Sequence, residues 1–232
     1  MRVISFGLWG NTPKYIEGAE ANVVLARRFY PGWQCWFFCD QTVPTETINM
    51  LSSQPDCRVI VADSSKERCD RLLWRFCAAS YSEVDIMLVR DADSRIGQRE
   101  QLAVLDWLSK GTSFHIMRDS PSHGVPICGG MWGCHANRMK NIRKNIDAYY
   151  DNGGAIEGYK SPMKIDQYFL SSVVWSVASQ DCTEHDEFFA KKPFPPYAPS
   201  WHENIYVGKV FDPAQEYYQR NTPRLQKSEA TV

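Results

Sequence analysis

The sequence lacks the features that would mark a membrane protein, a secreted protein or a nucleic-acid-binding protein. No apolar run approaches the length of a membrane-spanning helix, and the N-terminus enters a strand pattern without a signal-peptide pattern. The net charge is -1, from 26 basic and 27 acidic residues, so no basic excess points to nucleic acid. These absences predict a cytoplasmic protein with no transmembrane segment and no nucleic-acid partner.

Cysteine pairs of the Cys-x-x-Cys type are also missing, although the chain has eight cysteines. Most of these cysteines lie inside apolar segments, so we interpret them as reduced, buried side chains rather than as zinc ligands or disulfides. Internal repeats and low-complexity linkers are missing too. With 232 residues, of which 44% are hydrophobic and 23% charged, the chain can bury the core of one large α/β domain.

Strand-like and helix-like segments alternate along the first half of the chain. This alternation favours right-handed crossover units and an α/β fold, with a mostly parallel central sheet flanked by helices. The predicted strands are residues 2–8, 36–38, 58–62, 86–89, 113–117 and 127–134. The predicted helices are residues 17–29, a short helix opened by Pro44, one capped by Ser64 or Ser65 that runs to about Ser80, then 98–110, 137–150 and 164–179.

The fourth predicted strand ends in two carboxylates, Asp91 and Asp93. If the extended conformation persists to Asp93, both side chains point to the same side, beyond the carboxyl edge of the sheet. Parallel sheets bind ligands at that edge, and two converging carboxylates suit a hard divalent ion, Mg²⁺ or Mn²⁺. The alternative is a polar strand end in which the aspartates only form a turn.

Two arginines, Arg71 and Arg75, lie four residues apart on the helix that precedes this strand, so they share one face. A forked guanidinium group suits phosphate oxygens, and both arginines are candidates for binding a diphosphate. The alternative is an exposed basic face paired with Glu67. That alternative applies more to Arg71 than to Arg75, which sits in an apolar run.

Two further segments are candidates for contacting a ligand. In and after the loop that follows the first strand, Trp9, Asn11 and Tyr15 could bind a base and ribose, although each could equally serve packing or capping. Three glycines interrupt residues 127–134 and weaken that predicted strand. Either a bulge lies there, or a ligand approaches the backbone closely.

The order of these motifs resembles that of GT-A-fold glycosyltransferases, which are single-domain enzymes that use a nucleotide-sugar donor and a metal held by an Asp-x-Asp motif. The chain is similar to glycogenin-like transferases and to small viral and bacterial members, such as the chlorella-virus capsid glycosyltransferases. The matching segments are Arg90-Asp91-Ala92-Asp93, Gly129-Gly130-Met131-Trp132, Asp166-Gln167 on a helix, and a late His185-Asp186-Glu187-Phe188-Phe189.

The resemblance implies a role for each matched residue. By this resemblance Asp93 would bind the metal, Asp91 would bind the metal or the ribose, and either His185 or His202 would be the third ligand, with His185 the better match. Asp166 would face the transferred sugar, unless it only adds favourable charge at a helix start, and Asp119 is a further candidate for the catalytic carboxylate. The implied sugar and acceptor contacts are Gly129, Gly130, Met131, Trp132 and Gln167.

These roles imply a metal-dependent transferase that moves a sugar from a UDP-sugar to a hydroxyl on a glycan or glycoprotein acceptor. One domain would cover residues 1–220, with a nucleotide-binding half at 1–95 and an acceptor half at 96–220, followed by a flexible tail at 221–232. A nucleotidyltransferase acting on sugar phosphates is one alternative, but residues 8–12 lack the Gly-rich, basic loop that it usually shows. A non-catalytic nucleotide- or sugar-binding protein is the other.

Overall fold

Seven short strands in the described part of the chain pair into one sheet. The computed structural model describes residues 1–62, 71–154, 164–202 and 206–212. The strands are β1 (Arg2–Leu8), β2 (Gln34–Cys39), β3 (Cys57–Val61), β4 (Ile86–Arg90), β5 (Phe114–Arg118), β6 (Met131–His135) and β7 (Cys182–Asp186). Their order across the sheet is β3-β2-β1-β4-β6-β5-β7.

Strand β6 runs against both of its neighbours in this sheet. It pairs antiparallel with β4 and β5, whereas β1 with β2, β2 with β3, β1 with β4 and β5 with β7 are parallel pairs. The predicted mostly parallel sheet is therefore confirmed. Because β6 is reversed, its first residue, Met131, lies beside Arg90, the last residue of β4.

Helices cover both faces of the sheet. None of those in the described residues combines the length and the apolar content needed to cross a membrane. The α-helices are α1 (Pro13–Phe29), α2 (Thr45–Ser52), α3 (Arg71–Trp74), α4 (Gln98–Lys110), α5 (Ile142–Tyr149), α6 (Ile165–Phe169) and α7 (Trp175–Ala178). A 3-10 helix at Arg75–Ser80 continues α3, another lies at Ala136–Met139, and π-helical turns at Tyr150–Gly154 and Leu170–Val174 follow α5 and α6.

Two apolar clusters on opposite faces of the sheet hold these layers together. In β4, Met87 and Val89 belong to one cluster while Ile86 and Leu88 belong to the other, so the strand is buried on both faces as its apolar run predicts. The seven cysteines in the described residues are free thiols, most of them buried, and Cys69 lies outside those residues.

Most of the predicted elements are confirmed, and β1 and α4 have the predicted bounds. Helix α1 begins earlier than predicted, at Pro13, because the fixed φ of proline suits the first helical position. The segment 127–134 is a strand only from Met131. Strand β7 was not predicted. Ser64, Ser65, Glu67 and the predicted tail 221–232 lie outside the described residues.

Candidate active site

The chain turns at the end of β4, and this turn presents both aspartates of the Asp-x-Asp motif. The extended conformation ends at Arg90 and does not persist to Asp93, so the expected strand alternation does not orient the two side chains. Instead, Ser94 donates hydrogen bonds from its backbone N–H (3.2 Å) and its hydroxyl (2.9 Å) to the carbonyl oxygen of Asp91. Even so, both aspartates line one cleft.

This cleft, of about 240 Å³, lies at the edge where β1 and β4 end. Its described lining comes from the end of β1 and the loop after it, from α1, α3 and the 3-10 helix that follows, from the Asp91 turn, the loop before β6, the start of α6 and the C-terminal segment. Eight of the predicted site residues are in this set. The lining residues are Gly7, Leu8, Trp9, Tyr15, Leu72, Arg75, Asp91, Ala92, Asp93, Gly129, Asp166, Gln167 and Val210.

Arg75 bridges two of the cleft carboxylates. Its Nη1 pairs with Asp91, and its Nη2 lies 3.0 Å from Oδ2 of Asp166. The side chain is only 5% exposed, and Ser5 in β1 fixes its backbone by donating a hydrogen bond of 2.6 Å to its carbonyl oxygen. The single positive charge of Arg75 is therefore shared between two carboxylates, and its forked end is directed at them.

The pKa values of this pair follow from burial and from mutual attraction. Burial raises the pKa of Asp166 above its ordinary value, although the charge of Arg75 opposes the shift. Burial acts to lower the pKa of Arg75, but attraction to Asp91 and Asp166 more than offsets it, so that pKa is raised. The guanidinium therefore stays charged between its two carboxylates.

Asp93 has a different cationic partner, Lys14 in the first turn of α1. The distance from the Lys14 Nζ to Oδ2 of Asp93 is 3.1 Å, and the same Nζ lies 4.5 Å from the centre of the Tyr15 ring. Each aspartate of the motif is thus paired with its own basic side chain. Lys14 was not among the predicted site residues, because a single lysine ahead of the predicted helix 17–29 is no signal by itself.

Gly129 and Gly130 make room for the charged cluster. A Cβ atom at Gly129 would overlap Oδ2 of Asp166, and a Cβ atom at Gly130 would overlap the carboxylate of Asp91. The close approach expected at these glycines is therefore made by the protein's own side chains. The third glycine, Gly133, lies inside β6 and packs against Leu88.

The nucleotide and metal binding that the sequence predicts should be weaker in Gly130→Ala, because the added methyl group would overlap both the carboxylate and the backbone N of Asp91. Isothermal titration of UDP with Mn²⁺ would measure the effect, expected to be about 10-fold or more in affinity. Gly97→Ala is the matched control, since a Cβ there meets no atom within 4 Å. Equal affinities for the two variants would contradict this role for Gly130.

Two residues of α1 that the sequence did not single out hold the Asp91 turn in place. Buried Asn22 donates from Nδ2 to the carbonyl oxygens of Ala92 (3.3 Å) and Ser94 (2.9 Å) and accepts from the N–H of Ile96 (3.0 Å). One turn earlier, Gly18 allows the helix to approach, because a Cβ there would overlap the carbonyl oxygen of Ala92. A glycine and an asparagine at i and i+4 on a buried helix face were the available signal.

The predicted nucleotide contacts divide into two groups. Trp9 and Tyr15 line the cleft with stacked rings whose centres are 6.5 Å apart. Arg71 instead pairs with the buried Asp40 at 3.0 Å. Asn11 is exposed and does not line the cleft.

Among the predicted sugar contacts, Gln167 lines the cleft but also supports its wall. With its amide oriented to satisfy both groups, Gln167 donates to the carbonyl oxygen of Ile127 (2.9 Å) and accepts from the N–H of Gly129 (2.8 Å). Met131 and Trp132 are buried in the core and do not line the cleft. Their contribution in this structure is packing.

Asp119, the second candidate for the catalytic carboxylate, lies outside the cleft lining. It is fully buried and accepts two hydrogen bonds from Arg99, at 2.8 and 2.9 Å. It also accepts from the N–H of Val207 (2.9 Å), while its carbonyl oxygen accepts from Nε1 of Trp201 (2.9 Å). Burial raises the pKa of Asp119 despite the charge of Arg99. This geometry favours an anchoring role for Asp119.

His185 is likewise placed away from the cleft lining. It lies buried in β7, with Nδ1 2.9 Å from Nε2 of His115 and Nε2 3.0 Å from Oδ2 of Asp106. Both ring nitrogens are therefore engaged, and the structure does not bring His185 to the two aspartates. Its role as third ligand stays a prediction that this geometry does not favour. His202 is exposed and does not line the cleft either.

The two buried histidines make stability depend on pH. Burial, followed by the charges of His185, Arg90 and Lys110, holds the pKa of His115 well below 6.5, and burial also lowers the pKa of His185. Below about pH 6.5 these two histidines become protonated in the unfolded chain, whereas in the folded protein they stay neutral. We therefore expect the free energy of unfolding to decrease as the pH is lowered below about 6.5, by up to about 1.4 kcal/mol per pH unit for each histidine. Above pH 6.5 their contribution is fully present.

Urea unfolding at pH 7.5, 6.5 and 5.5 would measure this dependence. His115→Phe should keep a ring against Trp107, lose the hydrogen bond to His185, and flatten the slope below pH 6.5. His202→Gln, at an exposed site, is the control. An unchanged slope in the His115→Phe protein would show that another group titrates.

Asp91 and Asp93 are the cleft carboxylates best suited to hold a divalent ion. Among the described residues, no group of three or more His, Cys, Asp or Glu side chains is arranged to bind a metal. However, Mg²⁺ commonly takes one or two carboxylates and completes its shell with substrate phosphates and water. Asp91, with a side chain 40% exposed, is accessible for this. The donor set therefore fits an ion shared with a phosphorylated ligand.

Comparison with solved structures identifies proteins whose fold is similar to that of this chain. The glycosyltransferase GlyE of Streptococcus pneumoniae TIGR4 is similar with a TM-score of 0.54 and 16% identity, over 80% of this chain and 45% of that one. A glycosyltransferase involved in glycosylation of the major capsid of PBCV-1 is similar with a TM-score of 0.52 and 12% identity, over 83% of this chain and 89% of that one. The chain has a GT-A-like fold, as the motif order predicted.

These similar structures do not by themselves show what this protein does. The chain spans less than half of the length of the pneumococcal enzyme. At identities this low, the likeness shows the fold, and the function must be argued from the site. No protein-family model and no curated protein matches the sequence.

Proposed function

We propose that this protein is a metal-dependent glycosyltransferase, which moves a sugar from a nucleoside-diphosphate sugar to an acceptor hydroxyl. The observation that carries the proposal is the meeting of Asp91, Asp93, Asp166 and Arg75 in one cleft at the carboxyl edge of a GT-A-like sheet. If the aspartates only formed a turn at the end of β4, the 3-10 helix after α3, the loop before β6 and α6 would have no reason to place charged residues and glycines around them.

The charge of the cleft supports the need for a metal. Its lining and its ion pairs contain three carboxylates and two basic side chains, Arg75 and Lys14. That balance is negative, so a bare diphosphate would meet net repulsion. A divalent ion bound by Asp91 and Asp93 reverses the sign and makes the cleft suitable for a diphosphate.

Each residue then has a role that its position supports. Cleavage of the bond to the sugar leaves negative charge on the diphosphate, which the metal would stabilise as a Lewis acid. Asp166 lines the cleft and would stabilise the positive charge that develops on the sugar ring. Arg75 keeps Asp91 and Asp166 in place, while Trp9 and Tyr15 offer aromatic surface to the base or sugar.

Both halves of the chain line the cleft, and each half has a separate proposed role. Residues 1–95 would hold the nucleotide, and residues 96–220 would hold the sugar and a glycan or glycoprotein acceptor. UDP is the first nucleotide to test, because the resemblance to glycogenin-like transferases suggests it.

The test combines binding with turnover. Calorimetry of UDP and GDP, each with and without Mn²⁺, should show metal-dependent binding of one nucleotide. A panel of matching nucleotide-sugars should then release the nucleoside diphosphate. Release of pyrophosphate from a nucleoside triphosphate and a sugar phosphate would instead identify a nucleotidyltransferase. Binding without any turnover would identify a binding protein, and no nucleotide binding at all would overturn the proposal.

A further inference from the structure

We infer that Lys14 is an exchangeable phosphate-binding residue: it pairs with Asp93 while the cleft holds no metal, and it contacts the diphosphate once a metal takes Asp93. The inference rests on the proposed function and adds a residue to it. It starts from the ion pair of 3.1 Å between the Lys14 Nζ and Oδ2 of Asp93.

Asp93 is the fixed member of this pair. Its side chain is 10% exposed, and its carbonyl oxygen accepts a hydrogen bond of 2.8 Å from the N–H of Phe211. Asn22 holds the carbonyl oxygens of Ala92 and Ser94 on either side of it. A cation that enters the cleft therefore finds the Asp93 carboxylate already in position.

Lys14 is the member that can move. Its side chain is 31% exposed, its ammonium group sits at the end of a flexible four-carbon stem, and that group also lies over the aromatic ring of Tyr15. When Asp93 binds a metal, Lys14 loses its counter-charge. Since Asp93 and Tyr15, which lie beside the Lys14 ammonium, both line the cleft, a diphosphate bound there would supply the opposite charge.

Arg75 cannot make the same exchange. Its guanidinium is held by two carboxylates from different elements and is almost fully buried. Of the two basic side chains paired with cleft carboxylates, Lys14 is therefore the one whose charge can be released. The exchange also couples the two ligands, because a diphosphate that arrives without a metal finds Lys14 already neutralised by Asp93.

This coupling predicts opposite effects of Lys14→Met on the two ligands. Mn²⁺ alone should bind about 3-fold more tightly, because Asp93 no longer has a competing cation. UDP in saturating Mn²⁺ should bind about 10-fold more weakly, because one charge-assisted contact is lost. Lys14→Arg should keep most of the UDP affinity.

Calorimetry with UDP, and electron paramagnetic resonance of free Mn²⁺, would measure both constants without relying on turnover. Lys192→Met is the matched control, since Lys192 is exposed and pairs with Glu184 outside the cleft lining. If Lys14→Met leaves both constants within 2-fold of wild type, or weakens Mn²⁺ binding, the inference is wrong. If the wild type binds no nucleotide with Mn²⁺, the proposed function itself fails.

Discussion

An Asp93→Asn protein should fold like the wild type and lose metal-dependent UDP binding, by about 100-fold or more. The amide has the shape of the carboxylate and can still accept from Lys14, so the turn after β4 is preserved. It lacks the negative charge that makes a carboxylate a much stronger ligand than an amide for a hard divalent ion. Changes to groups that merely orient a metal ligand cost about 10- to 100-fold, and removing the ligand itself should reach the upper end of that range.

The measurement is the dissociation constant of UDP with and without Mn²⁺ for each protein. Asp85→Asn is the matched control, because Asp85 lies just before the opposite end of β4, exposed and paired with the N-terminal amine. Metal-dependent UDP affinity should survive in that control and vanish in Asp93→Asn. If Asp93→Asn kept the full effect of Mn²⁺, the metal would have to be held elsewhere.

Replacing Arg75 by Met should destabilise the protein by about 3 to 5 kcal/mol, the cost expected when a buried ion pair loses one partner. The loss leaves Asp166 buried without its cation and Asp91 without its guanidinium. A second change, Asp166→Asn, should restore part of the lost stability, because the buried charge is then removed as well. Urea unfolding of the two single variants and the double variant forms a double-mutant cycle.

Arg27→Met provides the comparison for this experiment. Arg27 pairs with Asp56 at an exposed site, so its removal should leave the unfolding midpoint nearly unchanged. If Arg75→Met were as mild as Arg27→Met, or if Asp166→Asn failed to compensate it, the bridge would not be an important source of stability.

The parts of the fold that could be predicted from sequence are those in which local pattern and burial agree. The apolar run Ile86 to Val89 needs a sheet with both faces covered, and the period of residues 98–110 suits a helix with one buried face. Strand β7 could not be predicted in this way, because its sequence, Cys-Thr-Glu-His-Asp, has no apolar run. Three of its five residues are buried, and Arg118 of β5 pairs with Glu184 and Asp186. That match joins distant segments of the chain, and no local pattern reveals it.

The same distinction applies to the candidate site. Asp91, Asp93 and Asp166 could be found because carboxylates at the end of a strand and the start of a helix carry a recognisable meaning. The partners of Arg75 could not be predicted, since a guanidinium suits a phosphate and two carboxylates equally well. The buried bond between Asp119 and Arg99 and the engagement of His185 by His115 and Asp106 likewise depend on packing. A single sequence without its fold gives no sign of these contacts.

The reversed strand β6 has a consequence for how the protein is made. On a ribosome, β4 can pair with β1 as soon as residue 90 has emerged, but its other edge stays open until residues 131–135 follow. An exposed apolar edge of this kind invites aggregation or chaperone binding. The bridge from Arg75 to Asp166 forms later still. During synthesis, Arg75 can therefore meet Asp91 early, but it gains its second carboxylate only after residue 166 has emerged.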